Sequence, residues 1–167
     1  MIAAFDTYYF DSKAKTVCVT FFKAESEDPE RIYYEILDNI EEYISGEFYK
    51  RELPCILSLL RKLNEKIELI IIDGFVYLDD MNKLGLGGHL YEFLDGKVPV
   101  IGVAKNNFAT IKSNKRELFR GKSERPLYIT AIGIDIDKAV DFIKRMDGQY
   151  RIPTLLKKLD TLTKEIG

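Results

Sequence analysis

The sequence predicts one α/β domain, a mixed β-sheet flanked by helices. Three observations carry that reading. The N-terminal part holds successive strand-like runs with no helix between them, two later runs are continuously apolar, and helical periods alternate with and follow those runs. Successive strands joined by short links are antiparallel, whereas an unbroken apolar run suits a strand buried on both faces by helices. The chain has 167 residues, 46% hydrophobic and 31% charged, which suffices for one real core and not comfortably for two. Residues 1–167 are therefore read as a single domain.

Ile2 to Phe10 and Thr16 to Phe22 are rich in aromatic and β-branched residues and read as strands. The polar link Asp11-Ser12-Lys13-Ala14-Lys15 makes them a hairpin. An acidic link, Ala24 to Glu30, leads to a third strand-like run at Ile32 to Ile36. From about Gly46 to Leu63 the apolar positions follow a helical period. Pro54 inside it lacks an N–H and is expected to kink the helix or end its first turn. Leu69-Ile70-Ile71-Ile72 is a buried strand ending at Asp73-Gly74, and Val98 to Ala104 is another ending at Lys105. Between them "GLGGHLYEFLDG" reads as a glycine-rich turn and a short helix. Its glycines lack the spacing of a dinucleotide fingerprint and suit close backbone approach instead. Leu127 to Ile134 makes a further strand, Asp137 to Met146 a helix with acids at its positive end, and Leu155 to Ile166 a last amphipathic helix.

Charge excludes some functions. With 25 basic against 27 acidic side chains the net charge is −2, which argues against a general polyanion binder but leaves room for a local basic groove. The densest basic run holds Lys112, Lys115, Arg116, Arg120, Lys122 and Arg125. It reads equally as an arm against phosphates or as a solvated loop. Cys18 and Cys55 sit in apolar runs without metal-ligand spacing, as reduced core thiols of a cytoplasmic protein would, with a disulfide between them the lesser alternative. The N-terminus carries acids where a signal peptide needs bases, and the longest apolar stretch is interrupted by Asp73, so no membrane association is expected.

Three acids stand out by position: Asp6 in the middle of the first apolar strand, Asp73 at the end of the central one, and Glu52 at the opening of a helix. A carboxylate among apolar neighbours costs several kcal/mol as an ion unless something pairs with it. A hard divalent cation is one such partner, and Mg²⁺ held by a few carboxylates keeps room for a phosphate oxygen. The plainer readings are a turn residue for Asp73 and a solvent-facing side chain for Asp6.

The order of short motifs resembles the endonuclease V family. "YISGEFYKRELP" (Tyr43 to Pro54) is similar to its Tyr-Ile-Pro-Gly…Phe-Arg-Glu-x-Pro segment. "LIIIDG" is similar to its strand ending in Asp-Gly and "GLGGHL" to its Gly-Leu-Ala-Ser-His-Leu; "IGVAK", "RPLYIT" and "YRIP" match further segments. The resemblance implies a ribonuclease H-like fold and a nuclease acting near deaminated purines such as inosine, in DNA or RNA. It implies an Mg²⁺ (or Mn²⁺) site at Asp6, Glu52 and Asp73, with Asp160 where the family has a histidine, and a charge-stabilising role for Lys105. It puts Tyr43 at the wedge that stacks where a base is displaced. Gly46, Phe48 and Gly74 fall at the base pocket, with His89 near it; the plainer reading of His89, which we favour, is a helix-start residue making one local hydrogen bond. There are departures. Ser45 replaces the wedge proline, Asp80-Met81-Asn82-Lys83 stands where the family has His-Pro-Arg, and Ile132-Gly133-Ile134 stands where it has Gly-His-Arg. Asp79, Asp80 and Lys83 are then the available substitutes for the missing groups. A catalytically weak or inactive nucleic-acid-binding protein of the same fold is the alternative, and a protein-interaction domain a third.

Overall fold

The computed structural model describes residues 1–38, 40 and 49–165. Its described strands form a seven-stranded sheet in the order β3-β2-β1-β4-β5-β7-β6. β1 (Ile2–Phe10), β2 (Lys13–Phe21) and β3 (Arg31–Leu37) make an antiparallel meander. β4 (Leu69–Asp73) lies parallel to β1, and β5 (Val100–Ala104) parallel to β4. β7 (Leu127–Ile132) is antiparallel to β5, and β6 (Arg116–Leu118) closes that side. The helices are α1 (Tyr49–Leu60), α2 (Leu86–Phe93), α3 (Ile136–Arg145) and α4 (Thr154–Lys164).

Alternation along the strands divides the core in two. Ala3, Phe5, Cys18, Ile70 and Ile72 face Ile56 and Leu59 of α1 and Leu86 and Leu90 of α2. Ala4, Val17, Ile71, Ile101 and Val103 face Ala139 and Ile143 of α3 and Leu155 and Leu159 of α4. Successive side chains in a strand point to opposite faces, so neighbours in sequence serve different helical layers. Both cysteines are free and buried.

The structure adjusts the expected elements in places. The hairpin link is only Asp11-Ser12, with φ of 46° and 62°, the doubly left-handed turn whose twist matches the flanking strands. Lys13 to Lys15 therefore belong to β2. Pro54 sits inside α1 and does not end it. β6 falls within the basic run, where short length and high charge hid it. Asp135 caps α3 by accepting from the Asp137 and Lys138 N–H groups, satisfying donors that a helix start leaves unpaired. Among the described residues no helix is long and apolar enough to cross a membrane.

Candidate active site

Register places the acids. Phe5 of β1 pairs with Ile72 of β4, so the next residues along these parallel strands, Asp6 and Asp73, stand side by side. They share the pleat direction of Ala4 and Ile71, which face α3 and α4. Lys105, two residues past Val103, emerges on that face from the end of the adjacent strand. The carboxyl ends of parallel strands are where open α/β sheets bind ligands. A small cleft opens there, lined by Asp6, Asp73, Lys105 and Asp160 and walled by Pro153, Leu156 and Leu159.

Close backbone approach fixes the exit of β4. A side chain at Gly102 would bring a Cβ to 2.5 Å from the Gly74 carbonyl oxygen and 2.6 Å from Thr130 Oγ1, so only glycine fits. Thr130 Oγ1 accepts from the Val76 N–H, and the Gly74 N–H donates to the Val103 carbonyl. Gly74 itself has φ of 139°, a conformation that side chains disfavour. Asp73 is thereby held at a sharp, well-pinned corner.

Glu52 comes from the opposite layer. It lies in the first turn of α1, is buried, and accepts a hydrogen bond from the Thr7 side chain. Thr7 shares a second hydroxyl contact with Thr16 at 3.0 Å. Burial, then the charges of Asp6 and Asp73, push the Glu52 carboxyl up to about 8. Asp6 is raised to about 7, by burial first and by Asp73 next, against the pull of the Thr7 N–H that donates to its Oδ1 at 2.9 Å. Asp73 keeps solvent at its rim, yet loss of hydration around its carboxyl raises it too, with Asp160 adding to the rise; Lys105 and a hydrogen bond with Asp6 work the other way. The charge of Asp73 thus opposes ionisation of both Asp6 and Glu52, and that of Asp6 opposes ionisation of Glu52.

Asp160 reaches the cleft from α4. Its carboxylate lies 3.7 Å from Lys105 Nζ and 3.2 Å from Lys164 Nζ, so it is already flanked by two cations. Oxygen donors with mutually unfavourable charge have the chemistry that Mg²⁺ or Mn²⁺ selects, and a divalent cation would relieve their repulsion. The side chains do not close around a common point as they stand: among the described residues no group of three acidic, histidine or cysteine side chains is placed to hold a metal ion. Asp6, Glu52 and Asp73 are nonetheless close enough to act on one another's charge, with Glu52 coming from the α1 layer and Asp160 engaged by lysines.

Other expected residues have plain surroundings. The His89 ring stacks on Tyr49 with centroids 3.8 Å apart, and its side chain bonds the Leu84 backbone, tying α2 to α1. Tyr43, Gly46 and Phe48 lie outside the described residues. Asp79 Oδ1 accepts from the Met81 and Lys83 N–H groups in a local turn, and Asp80 Oδ1 accepts from backbone amides of a neighbouring loop, so both acids are engaged with backbone. Sequence reasoning missed Arg120, which is buried and donates to the carbonyls of Met146, Gly148, Tyr150 and Arg151. Arg151 in turn donates to the Lys105 and Pro126 carbonyls. Arginine position within a basic run carries no local signal of such burial.

The model of the family described as Endonuclease V matches residues 1–127. An endonuclease V of Trichormus variabilis is 29% identical over 139 residues, covering 72% of this chain and 62% of that relative. The chain thus spans about three-fifths of the length of that curated relative. Among solved structures, the endonuclease V of Streptomyces avermitilis superposes with a TM-score of 0.78 at 23% identity, covering 98% of this chain and 79% of the other. That of Ciona intestinalis, solved with a 24mer DNA containing an inosine followed by a ribo-adenosine, gives 0.79 at 18% identity, covering 98% and 84%. These likenesses establish the ribonuclease H-like fold expected from the motifs.

Proposed function

The chain belongs to the endonuclease V family, and on that premise we propose that it is a cytoplasmic, single-domain, metal-dependent endonuclease that hydrolyses phosphodiester bonds near inosine or other deaminated bases in nucleic acid. The observation that carries the reading is the adjacency of Asp6 and Asp73 at neighbouring strand ends, with Lys105 on the same face. Asp6, Glu52 and Asp73 would hold Mg²⁺ or Mn²⁺, with Asp160 as a further oxygen donor if its lysines release it. Such an ion supplies Lewis acidity toward a phosphate oxygen and lowers the pKa of a bound water.

The chain's own groups do the rest. Lys105 presents a fixed positive charge where negative charge grows on the phosphate, an interaction worth more in a partly buried cleft than in water. Thr7 holds the Glu52 carboxylate in place through its hydroxyl. Pro153, Leu156 and Leu159 exclude water from one wall of the cleft. Tyr43 is assigned the stacking role that recovers part of the cost of displacing a base, with Gly46, Phe48, Gly74 and His89 around the base. The test is nicking of inosine-containing DNA and RNA oligonucleotides with Mg²⁺ or Mn²⁺, with Asp73→Ala as control. Metal-dependent cutting abolished by the substitution supports the reading. Metal-dependent binding without cutting would favour the non-catalytic binder.

A further inference from the structure

The two segments that leave the sheet beside the acids are sewn into one body. Residues 74–83 follow Asp73 out of β4, and residues 105–114 follow Ala104 out of β5, so both begin at the end of the sheet that carries the site. Asp80 Oδ1 accepts three successive backbone N–H groups, from Lys112 and Ser113 at 2.9 Å and from Asn114 at 3.0 Å. The Asn114 side-chain Nδ2 donates back to the Asp79 carbonyl at 3.1 Å and to Asn82 Oδ1 at 2.8 Å. Thr110 donates its hydroxyl proton to the Leu78 carbonyl. Beneath these polar links Phe75, Leu78, Ala104 and Ile111 form a separate buried cluster, with Tyr128 packed against it.

Successive amides turned to one point make a concave anion nest. Here the anion is the chain's own carboxylate, so the loop is held without consuming any lysine. Lys83 and Lys112, one on each joined segment, are exposed and make no ion pair with a described residue. Lys115 is oriented by donating to the Asn107 side chain.

We infer that Asp80 is a positioning residue whose clasp presents Lys83 and Lys112 as a cationic rim for the sugar-phosphate backbone of a nucleic-acid strand entering the site. The inference rests on the nucleic-acid reading above. It gives the turn at residues 79–83 a role: a structural clasp and one point charge, Lys83, with Lys112 supplied by the segment it clasps.

Binding is measured by fluorescence anisotropy of a labelled inosine-containing DNA strand on an Asp73→Ala background, at several salt concentrations. Cleavage kinetics and amide exchange are measured on the otherwise unchanged chain. Asp80→Ala is expected to speed exchange at the 112–114 amides and to weaken binding and raise KM roughly fivefold, about the worth of one lost phosphate contact, with kcat little changed. Asp80→Asn, which keeps an acceptor oxygen, recovers most of both. Lys112→Ala leaves the exchange unaltered and lowers the slope of log affinity against log salt by about 0.7. Fast exchange in Asp80→Ala with unchanged binding and KM overturns the inference, as does an unchanged salt slope in Lys112→Ala. Clasp-dependent binding without cutting by the unsubstituted chain would remove the nuclease reading and leave the rim standing; no binding at all would remove the rim.

Discussion

Glu52→Gln should make the metal-free protein more stable, and only above the range where carboxylates normally titrate. Glu52 is buried and held at about 8 where an unfolded glutamate titrates near 4.5. The folded state therefore binds this proton more tightly than the unfolded state does. The sign follows by linkage: stability is unaffected below about pH 4.5, falls as pH rises through that range, and the full loss is reached above about pH 8. A carboxyl displaced that far opposes folding by about 5 kcal/mol at the high-pH limit. Asp6, displaced from 3.8 to about 7, contributes on the order of 4 kcal/mol by the same route. Part of each figure is the same mutual repulsion, so the two do not add, and about 3 kcal/mol is the expected gain from Glu52→Gln at pH 8.5. For a chain of this size that is a rise in Tm of roughly 6–12 °C. The assay is thermal unfolding of both proteins from pH 4 to 9, in EDTA and in Mg²⁺. The gap between them should open between pH 4.5 and 8 in EDTA and close in Mg²⁺, as bound cation stabilises the unsubstituted chain alone. A Glu52→Gln protein that is less stable in EDTA at pH 8.5, or a gap that ignores pH, would refute the repulsion argument.

Lys105→Ala should lower kcat by about 10²–10³ with little change in KM, because its charge acts on the developing transition state, and single-turnover cleavage rates check this. Arg120→Ala should cost about 3 kcal/mol in chemical denaturation, since it leaves backbone carbonyls at Met146, Gly148, Tyr150 and Arg151 short of a buried donor. Gly102→Ala should depress both stability and cleavage, because its Cβ would collide with the Gly74 carbonyl beside Asp73; circular dichroism with activity at matched folded fraction separates the two.

Much of the architecture was legible because strand burial leaves a direct mark on sequence. The unbroken run at Leu69 to Ile72 announced a central strand, and the acid that ends it lies where the parallel register brings Asp6. Position at the opening of a helix singled out Glu52, and the family motifs supplied Lys105 and Asp160 without any geometry. Other features lay beyond local pattern. Asp80 meets its amide partners more than thirty positions away, and Arg120 looks like any other member of a solvated basic run until the connection between α3 and α4 supplies its carbonyl partners. The strand at Arg116–Leu118 is short and highly charged, and it exists because β7 offers an open edge. The two-residue turn at Asp11-Ser12 was hidden because neither residue is glycine, although Asp tolerates a left-handed backbone better than most.

The whole account turns on whether Asp6, Glu52 and Asp73 act on one divalent ion. Crystals soaked in Mn²⁺ and measured at the manganese absorption edge test this directly. The account predicts an anomalous peak within coordination distance of the Asp6 and Asp73 carboxylates, with Glu52 turned toward it. A fully soaked crystal with no peak at these acids, or with manganese bound only elsewhere on the chain, would contradict it.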